Sequence, residues 1–242
     1  MFHIIFVKEN NRSLYESEVY GVYPKNIQII SLLKERKFQY EFLHTIFDKP
    51  LSFEMLKTWK EQIFANQIES NEHLIPFLTE LSSQETADIV LKEQKNFQEL
   101  FFGPEHIPAP PWESVYRTRE RILFGEPTLK MREKLRDFDL HYEEEHKEPE
   151  DHISVELEFM NYLIDKTMWS IDEENEKECS KALYYQFRLL DEHLMKWIEP
   201  FTADILLNTT SCLYKGSALF LRDFIQEDYE YMKEIKEVLG NE

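Results

Sequence analysis

The sequence predicts an all-α fold, and three observations support this. Glycine is scarce, with 5 residues in 242, or about 2% against the roughly 7% of ordinary proteins. Sheet-rich folds need many glycine-bearing turns, which this chain lacks. Hydrophobic residues make up 42% and aromatic residues 14% of the chain, which is enough for a substantial core, and they recur at helical spacing over most of its length.

Four helical patterns follow one another in the first part of the chain. Apolar residues recur at three- and four-residue steps over 27–47. Ser52 is a good N-cap for a second helix, and a third covers about 74–81. Ser82 or Ser83 can cap a fourth, which ends at the Gly-Pro pair that follows.

A proline-rich segment interrupts the helices near the middle of the chain. Four prolines lie between residues 103 and 112 and force extended, rigid backbone. Pro111 can occupy the first position of the next helix, which places Trp112 and Tyr116 on one face near its start. Thr128 is the predicted cap of the helix after that.

The C-terminal part begins with a strong helix after Pro149. The apolar stripe of this helix consists of Ile153, Leu157, Met160, Ile164 and Met168. Three more helices are predicted over about 176–198, 202–215 and 217–238.

A charge-dense, apolar-poor stretch at 139–150, with the sequence DLHYEEEHKEPE, is the best candidate for a hinge. We therefore predict two helical halves joined by an acidic hinge. The predicted ranges are an N-terminal extension over 1–26, an N-terminal helical half over 27–138, a hinge or linker over 139–148 and a C-terminal helical half over 149–242. Because separately packed halves can exchange between protomers, a domain-swapped homo-oligomer is a further expectation.

The net charge restricts the class of partner. Lysine and arginine number 28 against 47 aspartates and glutamates, which gives a formal charge of -19. Nucleic-acid sites are built on basic patches and anionic membranes repel an acidic chain, so a basic peptide is the favoured partner. The apolar run at 1–7 lacks a cleavage site, and no stretch has the ~18 apolar residues of a membrane span. We expect a cytoplasmic protein.

No motif in the sequence requires an enzyme. The glycines are far apart, which excludes nucleotide-binding loops, and no strained-turn signature marks a nucleophile. We interpret Cys179 and Cys212 as packed thiols. Glu143 and His146 have the E-x-x-H spacing of di-iron bundles, but the motif occurs once and in a polar stretch. We expect no catalytic residue, no metal and no cofactor.

Two segments stand out chemically. The first, over 100–116, packs aromatic residues against rigid prolines and could present a preformed apolar groove that binds a peptide. The alternative is that Trp112 and Tyr116 are core residues at helical spacing. The second, over 148–153, opens a helix with three carboxylates. These can complement the helix dipole or receive an arginine guanidinium bidentately.

Together the two segments resemble the TorD/DmsD family of redox-enzyme maturation chaperones. The family's marks are a Gly-Pro run leading to P-P-W-x-S-V-Y and an E-P-x-D-H segment that leads into a helix. The chain reads FFGPEHIPAPPWESVY at 101–116, LFGEPT at 123–128 and EPEDHISVELEFM at 148–160. It departs from the family at Glu105, where some members carry a tryptophan, and in the extension over 1–26, which has no family counterpart.

The resemblance implies a TorD-like helical bundle and a non-catalytic chaperone. Such a chaperone binds the twin-arginine leader of a molybdopterin-dependent oxidoreductase and holds the apo form of its catalytic subunit until the cofactor is inserted, before export. The residues that match the family's leader-binding surface are Leu100, Phe101, Pro111, Trp112, Gly125, Asp151 and His152.

The same hypothesis assigns roles within that surface. Phe101, Trp112 and Tyr116 would contact the leader's apolar part. Asp151 with Glu148 would pair with its arginines. His152 is expected to tune the charge of the site near neutral pH, because the pKa of a free histidine is about 6.5. Replacing Asp151 by Asn is expected to weaken leader binding without unfolding the protein.

Two alternatives stay open at this level. One is an assembly chaperone of the NarJ type, which serves a molybdoenzyme that is not exported. The other, from a different class, is a helical metalloenzyme, which metal analysis of the purified protein would distinguish.

Overall fold

The all-α prediction is confirmed. The computed structural model describes residues 4–6, 24–64, 71–103, 106–143 and 147–239. Its α-helices are α1 Pro24–Asp48, α2 Phe53–Phe64, α3 Ile75–Ser83, α4 Thr86–Phe101, α5 Glu113–Arg117, α6 Glu126–Arg136, α7 Ile153–Asp172, α8 Glu176–Leu189, α9 Met195–Asn208 and α10 Cys212–Leu239. A 3-10 turn, Glu72–Leu74, precedes α3, and a π-helical segment, Leu190–Leu194, joins α8 to α9.

Two short strands pair with each other. Strand β1, Ile4–Phe6, runs antiparallel to β2, Leu140–Tyr142. β1 comes from the range predicted as an extension and β2 from the range predicted as a hinge. The division into extension, halves and hinge stays a prediction; residues 1–3, 7–23 and 144–146 lie outside the described part of the chain.

Helix α7 forms the centre of the core. It packs against α1 and α8, while α10 packs against α9. The stripe predicted for α7 is buried, with Leu157, Met160 and Ile164 each 0% exposed and Met168 partly buried against the core. Ser52 caps α2 as predicted, because its hydroxyl accepts a hydrogen bond from the Met55 amide at 3.1 Å. None of the helices in the described ranges combines the length and apolar character needed to cross a membrane.

A buried ion pair fixes α1 against α10. The Arg36 guanidinium donates to both carboxylate oxygens of Asp228, at 2.6 and 2.9 Å, and to Gln186 at 2.8 Å. The Tyr40 hydroxyl donates to the same carboxylate at 2.6 Å. Each nitrogen of the guanidinium and each oxygen of the carboxylate therefore has a hydrogen-bond partner, which stabilises charges that are removed from water.

Two predicted helix boundaries near the C-terminus are wrong. A break was expected around Pro200, but α9 continues through this proline to Asn208. A second break was expected at Gly216, which lies inside α10. A Cβ added at Gly216 would lie 2.4 Å from the His73 carbonyl oxygen, so this glycine permits close helix packing rather than ending the helix.

The predicted cap of α4 is also wrong. Ser82 and Ser83 close α3, since their hydroxyls donate to the Thr79 carbonyl at 2.8 and 3.0 Å. Helix α4 begins at Thr86, after an extended Glu85 that makes no side-chain capping bond. The two serines donate to carbonyls at the C-terminus of α3. Serine is also a common N-cap residue, so the sequence alone does not show which of the two roles it has.

Candidate functional site

The two segments that stand out in the sequence lie against each other in the structure. Trp112 and His152 form an isolated antiparallel bridge. The Ile153 amide donates to the Pro111 carbonyl at 2.9 Å, and the rings of Trp112 and His152 are 5.5 Å apart at 74°. The proline-rich segment is therefore attached by its backbone to the start of α7.

Pro111 does not begin a helix as predicted. Helix α5 starts at Glu113, and the preceding Trp112 is extended, with φ −122° and ψ 131°. Pro111 is buried and lies in the extended segment that pairs with α7. The backbone hydrogen bond between Ile153 and Pro111 holds this segment in the extended conformation. The sequence around Pro111 gives no indication of this long-range contact.

Asp151 joins the starts of three helices. Its side chain is 0% exposed; one carboxylate oxygen accepts the Ser114 amide of α5 at 2.6 Å and the other accepts the Thr128 hydroxyl of α6 at 2.6 Å. Burial raises the pKa of Asp151 above its ordinary value, and the two hydrogen bonds oppose that rise. Thr128 does not cap α6 as predicted. The helix begins at Glu126, and the threonine hydroxyl donates to Asp151.

His152 is the N-cap of α7. Its Nδ1 accepts a hydrogen bond from the Ser154 amide at 3.1 Å. Burial, and to a smaller extent His44, lowers the pKa of His152 to about 3. The ring is therefore neutral near pH 7, and the expectation that it tunes charge at neutral pH is wrong for this conformation.

A fully buried polar cluster lies behind the joint of α5, α6 and α7, the place where Asp151 connects the starts of these three helices. Glu113, Glu156 and His193 are each 0% exposed. The Glu113 carboxylate contacts His193 Nδ1 at 2.6 Å and accepts a bond from Arg117 at 2.6 Å. Glu156 accepts a hydrogen bond from the Trp197 indole at 3.1 Å. Burial and the nearby Glu113 raise the pKa of Glu156 well above its ordinary value.

The same cluster is the group of described residues whose geometry approaches that of a metal site. Ligand atoms of Glu113, Glu156 and His193 lie within 4.8 Å of one another. A protonated Glu156 accounts for the arrangement equally well, since it removes a buried negative charge next to the Glu113 carboxylate. Sequence analysis missed Glu113 and His193 as members of a cluster, because 80 residues separate them. The predicted E-x-x-H motif cannot be placed, since His146 lies outside the described residues.

Tyr116 lies at the edge of the cluster and reaches the surface. Its ring stacks on Trp197 at 5.6 Å and 30°, and its hydroxyl donates to Asp204 of α9 at 3.1 Å. The guanidinium of Arg121 lies over the same ring, 5.2 Å from its centroid, and 3.5 Å from the Asp204 carboxylate. Burial, followed by the negative charge of Asp204, raises the pKa of Tyr116.

An exposed apolar loop adjoins this tyrosine. The large apolar residues at 122–124 are 53%, 42% and 46% exposed, and Leu129 on α6 is 54% exposed. Gly125 ends the loop, where an added Cβ would come within 3.4 Å of Ser114. The loop and the start of α5 are therefore in close contact, and together they present apolar surface to solvent.

The structure brings most of the predicted site residues together. Pro111, Trp112, Tyr116, Gly125, Asp151 and His152 belong to the joint of α5, α6 and α7. Leu100 and Phe101 are core residues; Phe101 contacts Phe201, whose ring lies 6.0 Å from Tyr116. Glu148 is half-buried before Pro149. Glu105, the departure from the family pattern, lies outside the described residues.

Comparison with known proteins identifies relatives over most of the chain. The family model described as "Nitrate reductase delta subunit" matches residues 57–203. Chaperone protein TorD of Vibrio cholerae is 28% identical over 220 residues, covering 86% of this chain and 97% of the relative. TorD of Vibrio parahaemolyticus is 27% identical over 215 residues, covering 85% and 99%.

A second group of relatives matches a shorter segment. The Tat proofreading chaperone DmsD of Salmonella typhimurium is 33% identical over 105 residues, which are 43% of this chain and 45% of the relative. The resemblance drawn from the two motifs is confirmed by these matches. The chain therefore belongs to the nitrate reductase delta subunit family, which includes the TorD, DmsD and NarJ chaperones.

Proposed function

We propose that this protein is a cytoplasmic chaperone that binds the twin-arginine leader of a molybdopterin-dependent oxidoreductase. It holds the apo form of the catalytic subunit while the cofactor is inserted, before export. The relatives that match 86% and 43% of the chain are named as a TorD chaperone and a Tat proofreading chaperone. Neither name describes an enzyme, and we assign no reaction to this chain.

One structural observation supports leader binding more than any other. The half-buried Tyr116 donates to the carboxylate of Asp204, and its ring lies under Arg121, the residue that precedes the exposed apolar loop 122–124. A leader of this class combines an apolar stretch with two arginines. The loop 122–124 can contact the apolar stretch, and the Tyr116 ring with the Asp204 carboxylate can contact an arginine. The formal charge of -19 adds long-range attraction for a basic segment.

The leader-binding surface that we propose has an outer part and a buried part. The outer part includes the half-buried residues Trp112, Tyr116, Gly125 and Glu148, together with the exposed apolar loop 122–124 that precedes Gly125. Asp151 belongs to the buried part, because both of its oxygens already accept hydrogen bonds from the protein. Its proposed role is to hold the starts of the helices in register.

The remaining predicted residues act from the same buried side. His152 caps α7, and Pro111 pairs with the first residue of that helix. Leu100 and Phe101 support the surface through the aromatic core. We propose that these residues shape the surface without touching the leader.

Calorimetric titration with leader peptides tests the proposed function. The probe is a twin-arginine leader from a molybdoenzyme of the same organism, and the control is the same peptide with both arginines replaced by alanine. We expect the control peptide to bind at least about tenfold more weakly at low salt, since each charge-assisted hydrogen bond contributes roughly 1.5–3 kcal/mol. Equal binding of both peptides, or binding of neither, would contradict the proposal.

A further inference from the structure

We propose that Tyr116 and Asp204 form the binding site for one leader arginine, and that Arg121 occupies this site in the free protein. The inference rests on the proposed function and deepens it, since it names the residues that receive the guanidinium. It also predicts that the chain carries an internal competitor of its own ligand.

The position of Arg121 shows that the site accepts a guanidinium. The Arg121 guanidinium carbon lies 5.2 Å from the centroid of the Tyr116 ring, within the ~6 Å range of cation–π attraction. One terminal nitrogen lies 3.5 Å from Oδ2 of Asp204. A ring face and a carboxylate are the two groups that recognise arginine most often, and here both face the same cation.

The two receiving groups are held rigidly from behind. The Tyr116 ring stacks on Trp197 and meets Phe201 edge-on, at 6.0 Å and 71°. Its hydroxyl donates to Asp204 Oδ2 at 3.1 Å, which links the ring to the carboxylate. Trp197 is itself anchored by the hydrogen bond from its indole to buried Glu156. The site therefore needs little rearrangement to receive a second guanidinium in place of the first.

Arg121 is held more weakly than its site allows. Its side chain is 50% exposed, against 28% for that of Asp204. Arg121 and Tyr116 share Oδ2, and the Arg121 nitrogen is 3.5 Å away, so Arg121 does not form the short bidentate pair that a carboxylate offers. Its backbone has a φ of 51°, a left-handed conformation that is unfavourable for a residue with a side chain.

The loop that follows Arg121 links the exchange to apolar binding. Residues 122–124 carry exposed apolar side chains, and Phe124 has a second left-handed backbone, with φ 58°. Because Arg121 directly precedes this loop, the guanidinium site and the apolar side chains belong to one short stretch of the surface. A leader that replaces Arg121 with its own arginine can then place its apolar stretch against the same loop.

Removal of the internal competitor is the direct test. We expect Arg121→Ala to bind the leader about three- to tenfold more tightly at physiological salt, which is the range set by an exposed ion pair and an exposed cation–π contact. Arg119→Ala is the matched control, because Arg119 is exposed and carries the same charge two residues away. The control should change affinity less than about twofold under screened conditions.

The receiving carboxylate is tested in the opposite direction. We expect Asp204→Asn to weaken leader binding, with Glu199→Gln on the same helix as the control for loss of one negative charge. In the Asp204→Asn background the gain from Arg121→Ala should shrink, because both changes act on one contact. Thermal unfolding of the four single variants and of the double variant checks that each of them is folded.

The outcomes separate this inference from the proposed function. If wild-type protein does not bind the leader, the proposed function fails and takes the inference with it. If wild-type protein binds the leader through its arginines but Arg121→Ala binds no more tightly than Arg119→Ala, the inference alone is wrong. An undiminished gain from Arg121→Ala in the Asp204→Asn background would likewise overturn it.

Discussion

The backbones of Trp112 and His152 form an antiparallel bridge that joins the proline-rich segment to the N-terminus of α7. Forty residues separate them in the sequence. The Ile153 amide donates to the Pro111 carbonyl at 2.9 Å, and the Glu113 amide donates to the Asp151 carbonyl at 3.0 Å. These two hydrogen bonds place both motifs in a single unit. The two motifs that relate the chain to its family are therefore one structural feature. Much of that feature is scaffold, and the surface beside it is the one that we propose for leader binding.

His152 should affect stability in acid rather than leader binding near neutral pH. Its pKa is lowered to about 3 in the folded protein. Between about pH 6.5 and 3 the histidine therefore binds a proton in the unfolded chain but not in the folded one. The stability that this residue contributes is present above the unfolded pKa and is lost as the pH falls through that window. Thermal unfolding across this range should show a smaller acid loss in His152→Asn, which keeps a good N-cap residue. A leader affinity that changes with His152 ionisation between about pH 6 and 8 would contradict this assignment.

Asp151→Asn should destabilise the protein. An asparagine cannot accept with both side-chain atoms, so the Ser114 amide or the Thr128 hydroxyl loses its buried acceptor. We expect a loss of about 2 kcal/mol in the free energy of unfolding, measured by denaturant titration. Asp172→Asn, at an exposed position at the end of α7, is the control and should change stability by less than about 0.5 kcal/mol. An Asp151→Asn variant of wild-type stability that no longer binds the leader would show instead that Asp151 contacts the leader arginines.

Glu156→Gln should stabilise the protein at high pH. Burial and Glu113 raise the pKa of Glu156, so the folded state binds a proton that the unfolded chain releases. The stability linked to this proton is fully present below the unfolded pKa and is lost as pH rises through the folded pKa. A glutamine keeps an acceptor for the Trp197 indole and has no proton to lose. The midpoint of thermal unfolding of the variant should equal that of wild type near about pH 4 and exceed it increasingly toward about pH 8. A constant difference across this range would contradict the assignment.

Asp228→Asn tests the buried pair between α1 and α10. The change leaves the Arg36 guanidinium buried without its counter-charge and weakens the acceptor of the Tyr40 hydroxyl. Loss of one partner of a buried pair costs about 3–5 kcal/mol, which denaturant titration measures directly. Its neighbour Glu227 is exposed, so Glu227→Gln should be nearly neutral. Similar stability of the two variants would mean that the pair does not hold the helices together.

The sequence predicts those parts of the fold that depend on local pattern. The stripe from Ile153 to Ile164 is buried as its period requires, and Ser52 caps α2. Prediction fails where a residue matches a local sequence pattern but makes a contact with a distant part of the chain instead. Thr128 has the character of a cap, but its hydroxyl bonds to Asp151. Gly216 has the character of a break, but it serves close packing against His73.

The same distinction applies to the candidate site. Family motifs led to Trp112 and His152, because both segments keep a recognisable order of residues. They could not lead to His193 or Asp204, which come from helices packed behind and beside the motifs and carry no motif of their own. Whether Asp151 is a ligand or a scaffold also depends on its burial, and a single sequence contains no direct signal of burial for a polar residue.

The most direct test of the central claim is the calorimetric comparison of the two leader peptides on the wild-type protein and on Tyr116→Ala, at low and physiological salt. We predict that wild-type protein binds the native leader more tightly than the peptide without arginines, that this preference decreases with salt, and that Tyr116→Ala reduces it while remaining folded. A wild-type protein that binds both peptides equally, or whose preference for arginine is unchanged in Tyr116→Ala, would contradict the account.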